Sequence, residues 1–207
     1  MNSLKIYLVR HGESIANANR IMQGIANYDL STVGIEQAVM LSESLKNINF
    51  KAIYTSPLAR ARKTAEILLK NKRSPLVTLD CLKERDIGIF TGLSLDTVKE
   101  RYPYYYKLYE DSGFNKIPFA ETDYQLHMRA SCINKFIHSL KGGSYLFVSH
   151  GVFLSCLIKN LLNIPMEEYL HVDNTGLTIV DINQNVITNT KLNITEHLTT
   201  LTRREIY

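Results

Sequence analysis

Apolar runs that alternate with amphipathic segments constrain the fold of this sequence more than any other feature. Residues 4–9, 52–55 and 145–149 have few polar interruptions, which is typical of strands covered on both faces. Residues 32–46 and 123–141 precede such runs and repeat apolar side chains at helical spacing. Strands that alternate with helices indicate a mostly parallel sheet. The sequence therefore predicts an α/β fold with three layers, α/β/α, in which helices cover both faces of a mostly parallel central sheet.

The rest of the chain continues this alternation without a linker, a repeat or a low-complexity tract. Residues 75–79 predict a short strand, and residues 152–162 predict a helix. Residues 177–182 and 186–192 predict two closing strands joined by a short turn. We therefore expect a single domain over residues 1–207.

Local signals refine three of the predicted helices. Ser56 followed by Pro57 is a start signal that predicts a helix opening at the proline. Residues 94–110 are predicted as one helix. Four side chains are predicted to form one face of helix 32–46: Ile35, Ala38, Ser42 and Leu45.

Charge and cysteine content narrow the class of partner. The 207 residues carry 24 Lys and Arg against 20 Asp and Glu, a net charge of +4 that does not indicate nucleic-acid binding and fits a small anionic partner. The three cysteines are too widely spaced for a metal-binding pair, and their odd number suits a reducing compartment. No apolar run approaches the roughly 20 residues that span a bilayer. A cytoplasmic protein with no membrane partner is therefore expected.

Charged and imidazole side chains follow four of the predicted strands, at the point where each strand ends. Arg10 and His11 follow the first run, Arg60 follows the second, Glu84 follows the strand at 75–79, and His150 follows residue 149. In a parallel sheet, ligands bind outside the carboxyl ends of the strands. Each of these residues alone is more often structural, but their coincidence at one edge of the sheet indicates a site for an anion.

This set of residue types suits phosphoryl transfer. A guanidinium offers a bidentate fork for the oxygens of the transferring group, as Arg10 and Arg60 would. A neutral imidazole nitrogen can attack phosphorus and form a covalent intermediate. A carboxylic acid such as Glu84 can supply the proton that the leaving oxygen needs. Gly12 and Gly151 would let the backbone and the substrate approach closely.

Four motifs in this order resemble the histidine phosphatase superfamily, also called the phosphoglycerate mutase-like family. They are "LVRHGES", "SPLARARKTAE", "LKERDIG" and "VSHG", and the similarity extends over about residues 4–182. The resemblance implies that His11 is the nucleophile, which becomes a phosphohistidine, and that Arg10 and Arg60 bind the phosphoryl group. It also implies that His150 stabilises the charge of that group. Glu84 would protonate the leaving oxygen and later activate water.

The resemblance also implies the residues around the substrate. The positions expected to line the site are Asn17, Gln23, Gly24 and Gly151. Ser14 is expected to cap a turn, and Glu13 is expected to help orient the side chain of His11. No metal is expected, because Arg10 is a poor neighbour for a cation and no pair of histidines has helical i, i+4 spacing.

Two activities and a non-catalytic role are compatible with the resemblance. The phosphatase branch is favoured, because the region between Glu84 and His150 is compact and lacks the arginine pair of the mutases. The expected substrate is then a small phosphate ester, and no cofactor is needed. A phosphoglycerate mutase would require 2,3-bisphosphoglycerate as cofactor. A relative that binds phosphorylated ligands without turnover is the third alternative, although a binder would not need Glu84.

Residues 94–122 are predicted to form a lid that sets substrate specificity. This segment is rich in tyrosine over residues 102–109. The tyrosines either pack the lid against the core or a dimer partner, which is the favoured interpretation, or line a pocket for a ring-bearing phosphate ester. A homodimer is expected from the family resemblance alone.

Overall fold

A six-stranded sheet forms the centre of the protein in a computed structural model that describes residues 3–70 and 72–199. The strands are β1 (Leu4–Arg10), β2 (Ile21–Met22), β3 (Phe50–Thr55), β4 (Leu76–Thr78), β5 (Leu93–Ser94), β6 (Gly143–Ser149), β7 (Leu177–Asn183) and β8 (Val186–Ile194). The order in the main sheet is β4-β3-β6-β1-β7-β8, and β2 pairs with β5 separately. All pairs from β4 to β1 are parallel, whereas β7 is antiparallel to both β1 and β8.

Helices cover both faces of this sheet. They are α1 (Ile15–Ala18), α2 (Thr32–Ser44), α3 (Ala59–Leu69), α4 (Leu95–Arg101), α5 (Pro103–Ser112), α6 (Asp123–Ser139) and α7 (Gly151–Leu162). Helices α2 and α3 pack on one face in a cluster with Tyr7, Val9 and Val148. Helices α6 and α7 pack on the other face with Ile6, Leu8 and Phe147. The predicted three-layer α/β/α fold with a mostly parallel sheet is therefore confirmed.

The register of β1 determines which residues meet at the edge of the sheet. Arg10, the last residue of β1, pairs with Ser149, the last residue of β6. The next residues, His11 and His150, therefore leave adjacent parallel strands at the same height. Strand β3 ends at Thr55 on the other side of β6, opposite Val148, and its continuation leads into α3. The strand ends that lead to His11, His150 and Arg60 thus belong to three neighbouring strands.

Three local predictions from the sequence differ from the structure. The predicted helix 94–110 is two helices, because Pro103 disfavours helical backbone at Tyr102, which adopts φ −133° and ψ 54°. The helix predicted to open at Pro57 begins at Ala59 with Leu58 as its N-cap. Ile35 is 40% exposed, and α2 instead buries Gly34, Ala38 and Leu41.

The tyrosines of residues 102–109 pack mostly against a small apolar cluster beside the main core. Its buried members are Ile87, Phe90, Val98 and Ile117. Tyr102, Tyr105, Tyr106 and Tyr109 pack on it, whereas Tyr104 is exposed. The favoured interpretation of these aromatics, as packing groups, is therefore confirmed within the described residues. The single domain over residues 1–207 stays a prediction, since residues 1–2, 71 and 200–207 lie outside the described residues.

Candidate active site

The imidazole of His11 lies directly after β1 and is only 2% exposed. Its Nδ1 is 2.7 Å from the carbonyl oxygen of Gly12, which can only accept, so Nδ1 carries the proton and donates. The other nitrogen, Nε2, accepts from Nε of Arg60 at 3.3 Å. The unprotonated nitrogen of His11 therefore directs its electron pair toward the guanidinium of Arg60.

Long-range hydrogen bonds hold the backbone that carries His11. Nδ2 of Asn174 donates to the carbonyl oxygen of His11 at 2.9 Å. The backbone N–H of Thr175 donates to the carbonyl oxygen of Arg10 at 3.0 Å. The N–H of Gly12 donates to Oγ1 of Thr64 in α3 at 3.1 Å. Sequence reasoning missed Asn174 and Thr64, because neither residue type nor spacing links them to His11.

Two glycines allow the loop after β1 to lie against the first turn of α2. A Cβ on Gly12 would collide with the carbonyl oxygen of Gly34, and a Cβ on Gly34 would collide with the backbone of Glu13. Glu13 itself faces α2, because its N–H donates to Gln37 Oε1 at 2.8 Å and its Oε1 accepts from Ser31 Oγ at 2.6 Å. The prediction that Glu13 orients the His11 side chain is wrong, since the Gly12 carbonyl does so.

Arg60 is fully buried beside His11. Its Nη1 donates to the carbonyl oxygen of Ala26 at 2.7 Å, and its Nη2 donates to that of Gly24 at 2.9 Å. Gly24 reaches this position with φ +48°, in the left-handed region that favours glycine. Burial lowers the pKa of Arg60 to about 10, so the guanidinium is still charged at neutral pH. Gly24 therefore serves the site by fixing this cation.

Arg10 carries a donor that nothing in the described residues occupies. Its Nη1 donates to the carbonyl oxygen of Val172 at 2.7 Å, whereas its buried Nε has no hydrogen-bond partner. A Cβ on Gly151 would lie 3.3 Å from this Nε, so the glycine leaves space beside the guanidinium. A buried cationic donor without a hydrogen-bond partner destabilises the folded protein, and an anion bound here would supply that partner.

His150 is buried beside His11, with the ring centroids 5.1 Å apart. Its Nε2 lies 2.8 Å from Oγ of Ser56, while its buried Nδ1 has no partner among the described residues. Ser56 is not the helix cap expected from the sequence. Its hydroxyl instead fixes the orientation of the second imidazole of the site.

Burial and neighbouring cations keep both imidazoles neutral. Burial, then Arg10 and Arg60, hold the pKa of His11 well below its usual 6.5. Burial lowers the pKa of His150 in the same way, assisted by His11 and by the nearby arginines. A neutral imidazole is the form that can attack phosphorus.

These lowered pKa values predict a loss of stability in mild acid. Below about pH 6.5 the unfolded chain binds protons at both histidines while the folded protein does not, so the free energy of unfolding falls as pH decreases. Each imidazole contributes a slope of up to about 1.4 kcal/mol per pH unit. Urea unfolding between about pH 8 and about pH 5 measures this slope. His11→Asn should remove the contribution of one imidazole from the slope. An unchanged slope would contradict the lowered pKa of His11.

Glu84 lies at the N-terminus of α7. Its Oε1 accepts from the backbone N–H groups of Arg85 at 2.9 Å and Phe153 at 3.0 Å, and its Oε2 accepts from that of Val152 at 3.2 Å. The N–H groups of Val152 and Phe153 in the first turn of α7 fix the position of this carboxyl group. Glu84 is also close enough to Arg10 and Arg60 to raise the pKa of each guanidinium. The five residues predicted as catalytic therefore lie together.

Arg129 of α6 holds the segment that carries Glu84. Its guanidinium pairs with both carboxylate oxygens of Glu121, at 2.8 Å and 2.6 Å. It also donates to the carbonyl oxygens of Cys81 at 2.9 Å and Lys83 at 2.6 Å, and more weakly to that of Glu84 at 3.4 Å. The sequence alone assigned no role to Arg129.

Asn17 and Gln23 bond to Ser14 at the start of α1. Ser14 is the N-cap of this helix, and its N–H donates to Oδ1 of Asn17 at 3.1 Å, so the capping prediction is confirmed. Oγ of Ser14 lies 2.8 Å from Oε1 of Gln23. These contacts fix both amide side chains. Their role in lining a substrate stays a prediction.

A cavity of about 470 Å³ opens beside Arg10, Glu84 and Gly151. Segment 166–172, which precedes β7, forms another part of its wall. None of residues 94–122 lines this cavity. The prediction that residues 94–122 form a lid that sets specificity stays a prediction.

Among residues 3–70 and 72–199, no group of three His, Cys, Asp or Glu side chains is arranged to hold a metal ion. No helix in the same residues has both the length and the apolar character needed to cross a membrane.

Comparison with known proteins identifies relatives over most of the chain. A probable phosphoglycerate mutase GpmB from Photorhabdus laumondii is 33% identical over 182 residues, covering 86% of this chain and 85% of the relative. The structure of a putative alpha-ribazole-5'-P phosphatase from Escherichia coli K-12 superposes with a TM-score of 0.86 at 27% identity, covering 92% and 97% of the two chains. A phosphoglycerate mutase from Bacillus anthracis superposes with a TM-score of 0.81 at 26% identity, covering 95% and 96%.

The sequence model of one family spans the whole site. It is the model of the histidine phosphatase superfamily (branch 1), and it matches residues 6–195. That range includes β3, β6, most of β1 and every residue that gathers around His11. The chain therefore belongs to the histidine phosphatase superfamily, branch 1.

Proposed function

We propose that this protein is a metal-independent phosphatase that hydrolyses phosphate monoesters through a phosphohistidine on His11. Members of its superfamily are phosphatases or mutases. The observation that carries the proposal is the bare Nε2 of His11, held neutral 3.3 Å from Nε of Arg60. This nitrogen has the protonation state and the cationic surroundings that attack on a phosphate ester requires.

In the first proposed step, His11 takes the phosphoryl group. Nε of Arg60 exchanges Nε2 for a phosphoryl oxygen as the ester binds, which releases the lone pair of Nε2. This lone pair forms a bond to phosphorus, and the bond from phosphorus to the alcohol oxygen breaks. Arg10 and Arg60 bind the equatorial oxygens, where the unpaired Nε of Arg10 gains its partner. Glu84 donates a proton to the departing oxygen, so the alcohol leaves neutral.

In the second proposed step, water releases phosphate from His11. Glu84, now ionised, takes a proton from the water as its oxygen bonds to phosphorus. The nitrogen–phosphorus bond breaks, and its electron pair returns to Nε2. The Ser56 hydroxyl can donate to Nε2 of His150, so the proton of this neutral imidazole is on Nδ1. The otherwise unpaired Nδ1–H of His150 can then donate to a phosphoryl oxygen. The cycle ends with neutral His11 and protonated Glu84.

A phosphoglycerate mutase is the second candidate, because the curated relative at 33% identity is named a probable phosphoglycerate mutase. Such an enzyme holds a second anionic group of its substrate and keeps 2,3-bisphosphoglycerate as a primer. The region between Glu84 and His150 has no adjacent pair of arginines that would serve this purpose. This difference favours the phosphatase.

Phosphate release from a panel of esters in the presence of EDTA tests the proposal. We expect hydrolysis without added metal and without 2,3-bisphosphoglycerate. A coupled assay on 3-phosphoglycerate in the presence of 2,3-bisphosphoglycerate measures mutase activity in parallel. Isomerisation faster than hydrolysis would favour the mutase. Tight binding of phosphorylated ligands without hydrolysis of any ester would favour the non-catalytic role.

A further inference from the structure

We propose that Tyr169 determines substrate specificity by stacking on a planar ring in the alcohol portion of the phosphate ester. This inference rests on the proposed phosphatase function and adds a substrate class to it. The class consists of monoesters whose leaving group carries an aromatic or heteroaromatic ring and no second anionic group. The inference starts from segment 166–172, the part of the wall that lines this cavity together with Arg10 and Glu84.

Tyr169 is a large aromatic side chain that the fold leaves in solvent. It lines the cavity beside Arg10 and Glu84, and it is 87% exposed. An exposed aromatic ring at the edge of a concave site is a surface on which a flat ligand group can pack. The cavity volume of about 470 Å³ lies within the range of small-molecule sites, roughly 300–1,000 Å³.

A chain of hydrogen bonds fixes the ring of Tyr169. Its hydroxyl lies 3.1 Å from Nδ1 of His171, and Nε2 of His171 lies 2.9 Å from Oδ1 of Asp173. Asn193 of β8 holds Asp173 through two bonds, at 2.9 Å and 2.7 Å. The imidazole also lies nearly parallel to the tyrosine ring, with an interplanar angle of 24°. The ring is therefore oriented before a ligand arrives, which lowers the entropic cost of binding.

Both ends of segment 166–172 are tied to the elements that carry the active site. Nζ of Lys159 in α7 donates to the carbonyl oxygen of Met166 at 2.9 Å. Nη1 of Arg10 donates to that of Val172 at 2.7 Å. A phosphoryl group held by Arg10 thus has a fixed spatial relation to the wall that carries Tyr169.

The charges of this wall disfavour a substrate with a second anionic group. Glu167 and Glu168 line the cavity. The positive charges that line it are Arg10, assigned to the phosphoryl group, and Lys159, which already bonds to Met166. A carboxylate or second phosphate on the leaving group would meet like charges here. A neutral ring meets Tyr169 without that penalty.

Two alkyl esters isolate the contribution of the ring. Benzyl phosphate and ethyl phosphate both release an alkoxide, but only the first carries a ring. We expect kcat/KM to be about tenfold higher for benzyl phosphate, the size of one good aromatic contact. Tyr169→Ala should lower this ratio about tenfold, whereas Tyr169→Phe, which keeps the ring, should retain most of it. Tyr124→Ala, which removes an exposed tyrosine outside this cavity, should leave the ratio unchanged.

Three results would overturn the inference. They are an unchanged ratio in Tyr169→Ala, an equal loss in Tyr169→Phe, and a higher kcat/KM for 3-phosphoglycerate than for benzyl phosphate. If neither alkyl ester is hydrolysed, the proposed phosphatase function fails. The specificity is then decided by calorimetric binding of benzylphosphonate and ethylphosphonate. Tighter binding of benzylphosphonate that Tyr169→Ala abolishes would support the role of the ring, and equal affinities would refute it.

Discussion

His11→Ala is expected to lower the rate of phosphate release by about five orders of magnitude, because it removes the only group proposed to form a bond to phosphorus. The residual rate would come from Arg10, Arg60 and Glu84 acting on an ester without a covalent intermediate. Steady-state phosphate release with the best ester of the panel measures this loss. Rapid mixing of the wild-type protein with that ester, followed by quenching, should trap the intermediate.

The chemistry of the trapped adduct identifies the nucleophile. A phosphohistidine is labile in acid and stable in base, so label retained in alkali and lost in acid supports attack by an imidazole. His138→Ala is the matched control, because this histidine lies in the last turn of α6 and plays no part in the site. Wild-type turnover in His11→Ala, or an adduct that survives acid, would remove His11 from the proposed role.

Arg129→Ala should strongly lower both the stability and the activity of the protein. It would leave the carboxylate of Glu121, whose side chain is only 15% exposed, without its bidentate partner. Removal of one partner of such a pair costs about 3 kcal/mol in the free energy of unfolding. The Glu84 segment would also lose its three carbonyl contacts, and kcat should fall about a hundredfold through misplacement of that carboxylate.

Two further variants separate the causes of this effect. Arg62→Ala breaks an exposed pair with Glu66 in α3 and should change the free energy of unfolding by less than about 0.5 kcal/mol. Replacing Glu121 and Arg129 together by methionine removes the unpaired charge, so stability should recover while kcat stays low. Chemical denaturation and steady-state kinetics on the same samples measure both quantities. Recovery of kcat in the double variant would show that Arg129 does not position Glu84.

The layered fold and the central residues of the site could be predicted from the sequence because both depend on local patterns. Apolar runs defined the strands, and a charged or imidazole group at each strand end indicated where the chain would form a site. His11 and His150 follow strands that pair in register, so prediction of the parallel sheet was enough to bring them together. Local pattern failed at Ser56. This serine was predicted to cap a helix, but its hydroxyl bonds to His150.

The supporting residues could not be predicted, because their roles depend on contacts between distant parts of the chain. Thr64, Asn174 and Arg129 are common residue types, and the role of each depends on a backbone group that it meets only after folding. The wall of the cavity shows the same limit. Segment 166–172 lies beside Arg10 because Val172 bonds to it across the sheet, and no local feature of that segment indicates proximity to residue 10.

The position of β1 in the sheet has a consequence for how the protein acquires activity during synthesis. The strand that delivers His11 emerges early, but its two neighbours are β6, which starts at Gly143, and β7, which starts at Leu177. A nascent chain that ends before residue 174 therefore has no completed sheet around β1 and lacks Asn174 to hold the His11 backbone. Such long-range pairing slows folding. Catalytic competence is thus a late event, reached only when the two distant parts of the chain have closed around the first strand.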